Sequence, residues 1–181
     1  EEKPLLLKAL ELNPDDWRTA LALSNNYSTN NETSKAIAIG EKFIKLYPEN
    51  SQIGMNYASV LLKDKQYLNA LNFLEGFNIL PFEGSTEGKK IYTLVCIKLA
   101  LQSYNNKNYE EVIMYAEKAK LWPRNLGVGK PYDVDERLEN YIIAKANDKL
   151  GNKSNLQKLK KELLKTPSDV ELTLEAIKTL N

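Results

Sequence analysis

The residues best suited to chemistry are a glutamate between an aromatic residue and a glycine, Phe82-Glu83-Gly84, and an acidic cluster further along, Asp133, Asp135 and Glu136. Two carboxylates placed across a glycosidic bond can serve as acid and base or as acid and nucleophile. Nothing in the sequence sets the separation of Glu83 from the cluster or drives their pKa values apart. The cluster also has a plainer use, because carboxylates at a helix N-terminus stabilise its positive end by about 0.3 kcal/mol or more each. The chain has no histidine, so the commonest acid–base group and zinc ligand is missing. The run Gly127-Val128-Gly129-Lys130-Pro131 lacks the preceding strand and the Lys-Ser/Thr ending of a phosphate loop. The lone cysteine, Cys96, lies in the apolar run IYTLVCIKLAL and reads as a buried core thiol. These residues therefore point to a chain that is not an enzyme and holds neither metal nor cofactor.

Charge argues against two classes of partner. The net charge is +1, and of 25 basic residues only Arg18, Arg124 and Arg137 are arginines. A phosphate-reading surface uses more of the bidentate guanidinium, so no nucleic acid is expected. No apolar run approaches the ~18 residues of a membrane span, so no membrane is expected either. Lysines gather in residues 145–165, but over two helices, which reads as solvated faces.

The elements that must position these residues follow a repeat. Pro14 and Pro48 are 34 residues apart, as are Ala36 and Ala70. A period of that length marks stacked helical hairpins. Apolar residues at spacings of three and four predict helices at 2–12, 16–29, 33–46, 51–63, 67–79, 87–105, 109–121, 134–149, 153–165 and 168–180. Ala36 and Gly40 predict a close crossing within the first hairpin, Gly151 a helix stop, and Ser168 the cap of the last helix. The period breaks twice. From Ala70 to its equivalent Val112 the step is 42, and from Val112 to Leu156 it is 44. The extra residues fall at 80–90 and 122–136, both between the second helix of one unit and the first of the next. The predicted fold is all-α, a right-handed α-solenoid of about four hairpins (about 16–48, 50–81, 87–123 and 134–167) with half-units 2–12 and 168–180 at its ends. With no Gly/Ser-rich linker it reads as one continuous domain. Because the chain opens on half a unit, it also reads as a piece of a longer protein.

On Ser24, Tyr27, Ala36 and Pro48, on Ala58, Tyr67 and Ala70, on Ala100, Tyr109, Ala116 and Ala119, and on Ala144, the chain resembles a tetratricopeptide repeat array. Ala20 and Gly54 stand where that family often has Trp, and Val112 and Leu156 where it has Ala. The stretches LPFEGSTEGKKIY and WPRNLGVGKPYDVDERLENY are similar to two loops in the tetratricopeptide region of large Bacteroidetes proteins. Those proteins carry an upstream domain of unknown function similar to sugar-binding β-sandwich domains. The resemblance implies a bacterial protein, cytoplasmic or periplasmic, whose repeats bind protein or peptide.

Two surfaces then become binding candidates. Repeat register puts Arg18, Asn25, Gln52, Met55, Asn56, Lys98 and Tyr104 on a groove lined by the first helix of each hairpin. The family's carboxylate clamp is incomplete, with Leu21 and Leu94 where further cations belong. The insertions share one edge, which sets Phe82, Glu83 and Gly84 beside Trp122, Asn125, Gly127, Gly129 and Lys130, either as a binding face or as a brace. The leading expectation is a scaffold module that docks another domain of the same polypeptide or a separate protein. The alternative is an accessory domain that completes a carbohydrate-binding or processing site of the missing β-sandwich. Apolar stripes on the terminal half-units offer a route to a homodimer.

Overall fold

A computed structural model describes residues 2–80 and 86–181. Among the described residues there are ten α-helices and one short 3-10 turn, with no strand. The helices are α1 (Glu2–Leu12), α2 (Trp17–Thr29), α3 (Thr33–Leu46), α4 (Ser51–Lys63), α5 (Tyr67–Gly76), α6 (Glu87–Asn105), α7 (Tyr109–Ala119), α8 (Arg137–Lys149), α9 (Leu156–Lys165) and α10 (Val170–Thr179). Residues up to Ile91 together with Pro123–Val128 form one compact unit; Tyr92–Trp122 with Gly129–Asn181 form a second. Helices that follow one another in sequence pack on one another, which makes the fold an all-α helical repeat.

The repeat is written most sharply in its turns. Asn31, Lys65 and Lys107 have φ of 60, 61 and 62°, and Gly151 has φ of 90°. These positions are 34, 42 and 44 residues apart, the same steps as in the apolar pattern. Each left-handed residue follows the first helix of a hairpin. The residue after it donates its N–H five residues back: Glu32 to Tyr27 at 2.8 Å, and Gln66 to Leu61, Asn108 to Ser103 and Asn152 to Asn147 at 2.9 Å each. That six-to-one bond is the Schellman closure of a helix C-terminus. Only the fourth turn uses glycine, so the other three hold an L-residue in a region that costs about 1–2 kcal/mol.

In the first unit Ala20, Phe43 and Ile53 are buried at the centre of a cluster edged by Leu10, Trp17, Ile39, Ile44 and Tyr47. Asp16 caps α2, its carboxylate accepting from Arg18 N–H at 3.2 Å and Thr19 Oγ at 2.5 Å. Gly40 borders a small internal space with Ala20 and Ser24 of α2, and its tightest approach is to the next hairpin. A Cβ there would lie 2.5 Å from Tyr57 Cδ2, so its missing side chain lets α3 approach α4 of the next hairpin. Gly54 has the same kind of role: a Cβ would stand 2.2 Å from the Phe77 ring. Phe77 fills that space and is stacked on Phe73 at 4.9 Å.

In the second unit α6 and α7 are tied by Thr93 Oγ to Ala119 O at 3.2 Å and by Tyr104 against Tyr109 at 5.5 Å. Val112, Ala116 and Ala119 on α7 and Leu138, Tyr141 and Ile142 on α8 are buried. Cys96 is fully buried, as its apolar context predicts.

Helix bounds differ from the sequence pattern where a side chain captures the chain early. α5 stops at Gly76 because Phe77 turns extended, with ψ of 136°. α7 ends at Ala119, α8 begins at Arg137 and not near 134, and α9 begins at Leu156 after Asn155, whose side chain accepts from Lys158 N–H. The cap of α10 is Asp169 and not Ser168; its carboxylate accepts from Leu172 N–H at 2.9 Å.

The strained turns give a direct test. Lys107→Gly removes the Cβ penalty at φ of 62°, offset in part by the greater entropy of unfolded glycine, and is expected to stabilise by up to about 1 kcal/mol. Urea unfolding checks it, with an unchanged m-value and a raised midpoint expected.

Candidate functional site

The second insertion contributes to the first unit through the 3-10 turn Arg124–Leu126. The Asn125 side-chain amide donates to Leu74 O at 2.8 Å and Phe77 O at 2.7 Å, carbonyls freed by the end of α5. Its own carbonyl accepts from Ile79 N–H at 2.7 Å. Leu126 and Val128 are buried, and Gly127 adopts φ of 66° to turn the chain between them. At the start of α6, a Cβ on Gly88 would meet Leu126 Cβ at 2.9 Å. Asn125 and Gly127 thus act as a brace in this unit. Phe82, Glu83 and Gly84 lie outside the described residues.

The rest of that loop belongs to the second unit. Trp122 is half-buried, Gly129 is exposed with open space about its Cα, and Lys130 is exposed and reaches Glu136 at 3.5 Å. Asp135 of the acidic cluster is committed to architecture. Arg137 donates to both Asp135 oxygens, at 2.8 and 2.7 Å, to Glu162 O at 2.9 Å and to Thr166 O at 2.5 Å. One guanidinium therefore fastens the start of α8 to the last turn of α9. Its hydrogen bonds hold the Asp135 carboxyl below the usual carboxylate range. An open depression of about 580 Å³ lies over Asp133, Asp135, Glu136 and Asn140, with Asp135 held by Arg137 and Glu136 beside Lys130. Among the described residues no group of Cys, Asp and Glu is arranged to hold a metal ion.

The groove candidates separate into two settings. In the first unit, Arg18, Asn25 and Gln52 are exposed on α2 and α4, and Asn56 is half-buried between them. Ser24 Oγ donates to Asn56 Oδ1 at 2.6 Å, and Asn56 Nδ2 donates to Asn25 Oδ1 at 2.6 Å. Ser24 is buried and fixes Asn56, which in turn fixes Asn25. Arg18 lies over the Trp17 ring at 4.4 Å. Met55, placed on the groove by register, is buried at 3% exposure and is a packing residue. The cavity behind Asn56, about 10 Å³, has room for no more than a water, so this face is an open surface.

In the second unit Lys98 and Tyr104 are not open. Lys98 pairs with Glu175 of α10, and Tyr104, buried, donates its hydroxyl to Leu180 O at 3.3 Å. Burial pushes the Tyr104 phenol up. The register that put both residues on a groove gave no sign of a helix lying there. Sequence reasoning also passed over two buried charges, Lys89 in the first unit and Glu139 in the second, neither of them free. On α8 and α9, burial and the charges of Lys149 and Lys160 lower the Lys145 pKa, so lysines of the two helices do converge.

No family model matches the chain, and no curated protein matches it. Among the described residues no helix is long and apolar enough to cross a membrane.

Two outcomes test the braces. Asn125→Ala leaves two part-buried carbonyls without their donor and is expected to cost about 1–3 kcal/mol in urea unfolding; a residue used only for ligand contact would cost nothing. The Asp135 carboxylate has its pKa depressed in the fold, so its contribution is present above the unfolded value and is lost as pH falls through the folded one. Wild-type stability should fall below about pH 4, and Arg137→Ala should flatten that limb when unfolding is followed by circular dichroism across pH 2–6.

Proposed function

We propose that this chain is a non-enzymatic docking module, a tetratricopeptide-like array that binds an extended peptide segment across the α2–α4 face of its first unit. The segment would come from another domain of the same polypeptide or from a separate protein. The observation that carries this reading is the relay Ser24–Asn56–Asn25. A buried serine orients two asparagine amides on an otherwise open helical face. Once Asn56 Oδ1 and one of its N–H groups are engaged, the second Asn56 N–H and the Asn25 amide nitrogen remain as donors. Side-chain amides match the alternating carbonyl and N–H groups of an extended backbone, and pre-orientation reduces the entropy of binding. Exposed Arg18 and Gln52 on the same face add a charge and a further amide at fixed register. A shallow, mixed surface of this kind suits a chain segment better than a small molecule, which needs enclosure.

On this reading the 122–136 loop supports the array through Asn125, Gly127 and Asp135 and does not itself carry the ligand contacts. Peptides selected from a random displayed library against the full chain provide the test. Selected binders are expected to lose about tenfold or more in affinity with Asn25→Ala and with Asn56→Ala, and to be unaffected by Lys130→Ala. Binders that ignore both asparagines, or a selection that yields none, would overturn the proposal.

A further inference from the structure

α6 is apolar over most of its circumference. Tyr92, Val95, Cys96, Ile97, Leu99, Ala100, Leu101 and Tyr104 are all buried, and the polar residues Lys98, Gln102 and Asn105 form one narrow stripe. A helix of that kind needs cover on more than one face. α7 covers one side. On another side lies α10, with Glu175 on Lys98 and the Leu180 carbonyl on the Tyr104 hydroxyl. The buried face of α10 is Leu172, Thr173, Ala176, Ile177 and Leu180, while Val170 and Leu174 on its back are exposed. By repeat register α10 would begin the next hairpin and sit beside α8 and α9. It also reaches α6, two hairpins earlier by first-helix count, and lies where a ligand of that helix would lie.

One face of α10 is well packed, and it is the link to α9 that is slight. Only Leu163 of α9 is buried, and the link between the two helices passes through extended residues, Thr166 at φ −150° and Asp169 at φ −137°. Arg137 holds the near end of that link at Thr166 O, so α10 can leave without unwinding α9.

We propose that the Lys98–Tyr104 face of α6 is a helix-docking site, now filled from within by α10, and that it takes an amphipathic helix from a partner protein in competition with α10. The chemistry of the occupant is read from α10 itself. It is an amphipathic helix with aliphatic residues at the positions of Leu172, Ala176, Ile177 and Leu180, and a carboxylate at the position of Glu175 to meet Lys98. This site is separate from the α2–α4 face and does not depend on peptide binding there.

A fluorescein-labelled peptide with the sequence of residues 167–181 is the probe, added to the full chain and followed by anisotropy. Wild-type α10 competes at an effective concentration on the order of millimolar, so wild type binds the probe weakly. Glu175→Lys turns the internal ion pair into a repulsion but leaves Lys98 for the probe's glutamate, and is expected to tighten binding at least tenfold. Adding Lys98→Glu restores the internal pair with reversed signs and should abolish the gain, while Asn25→Ala should leave it unchanged. A Glu175→Lys chain of wild-type helicity that gains no binding overturns the proposal. Hydrogen exchange of the wild-type chain decides independently, should that variant fail to fold. α10 amides exchanging at least tenfold faster than those of α8 support a releasable helix, and α10 amides that open only with α8 make it a fixed part of the core.

Discussion

Every hairpin closes on the same main-chain bond, from the residue after a left-handed turn position to a carbonyl five residues back. That closure reverses the chain within three residues and fixes the entry angle of the following helix. Once the angle is fixed, the faces that meet are set by helix periodicity, and small residues can be placed where helices press together. Gly40 under Tyr57 and Gly54 under Phe77 are such places. A Cβ at either would force an aromatic ring out of a packed interior, where volume changes of one methyl are felt. The turn therefore comes first in the physical order, and the side-chain pattern is fitted to it. Its cost is visible in Asn31, Lys65 and Lys107, which hold left-handed backbone without glycine. Asparagine tolerates that region through its short polar side chain, whereas the two lysines have no such relief and keep it only because the hairpins on either side over-determine it.

The departures from the period obey the same logic. Lengthening a connection leaves helix-end carbonyls and apolar residues to be satisfied by something other than the next repeat. Asn125 supplies donors to the freed end of α5, and Leu126 and Val128 supply apolar cover. Within the second unit Arg137 does the corresponding work for the end of α9, using one planar group to meet a carboxylate and two carbonyls at once. A lysine could not do this, because its three donors diverge from one point and do not form a fork.

Much of the architecture was legible from residue spacing. The bounds of α1, α3, α4 and α6 follow from the apolar positions alone, and the steps of 34, 42 and 44 recur in the backbone. What apolar spacing could not show were captures by single polar side chains. Asn125 ends α5 early, Asp169 displaces Ser168 as a cap, and Arg137 claims the acid that might have done chemistry. Asn125 depends on partners brought near by folding, whereas Asp169 acts on Leu172 and Arg137 on Asp135 within three residues, and there the apolar pattern carries no mark of the polar pair. Met55 shows a second limit, because register gives the direction of a side chain but not what covers it. For α6 a sign was present: in IYTLVCIKLALQSY the polar stripe is narrow, Lys98 and Gln102, and the apolar part is wider than one packed face requires. Register alone put Lys98 and Tyr104 on a groove, where α10 lies over them.

The two first-helix faces consequently call for different occupants. Across α2 and α4 the outward positions are Arg18, Asn25, Gln52 and Asn56, groups that water satisfies when nothing is bound and a peptide backbone satisfies equally well. Such a face can stand empty without penalty, and its specificity must come from fixed donors, which the Ser24 relay provides. On α6 the outward positions include Ile97 and Leu101, whose exposure would cost about 1.5–3 kcal/mol each. That face cannot stand empty, and α10 fills it. A surface that must always be covered can take a ligand only by exchange, so whatever binds it has to match the aliphatic pattern and the single carboxylate of the helix it replaces.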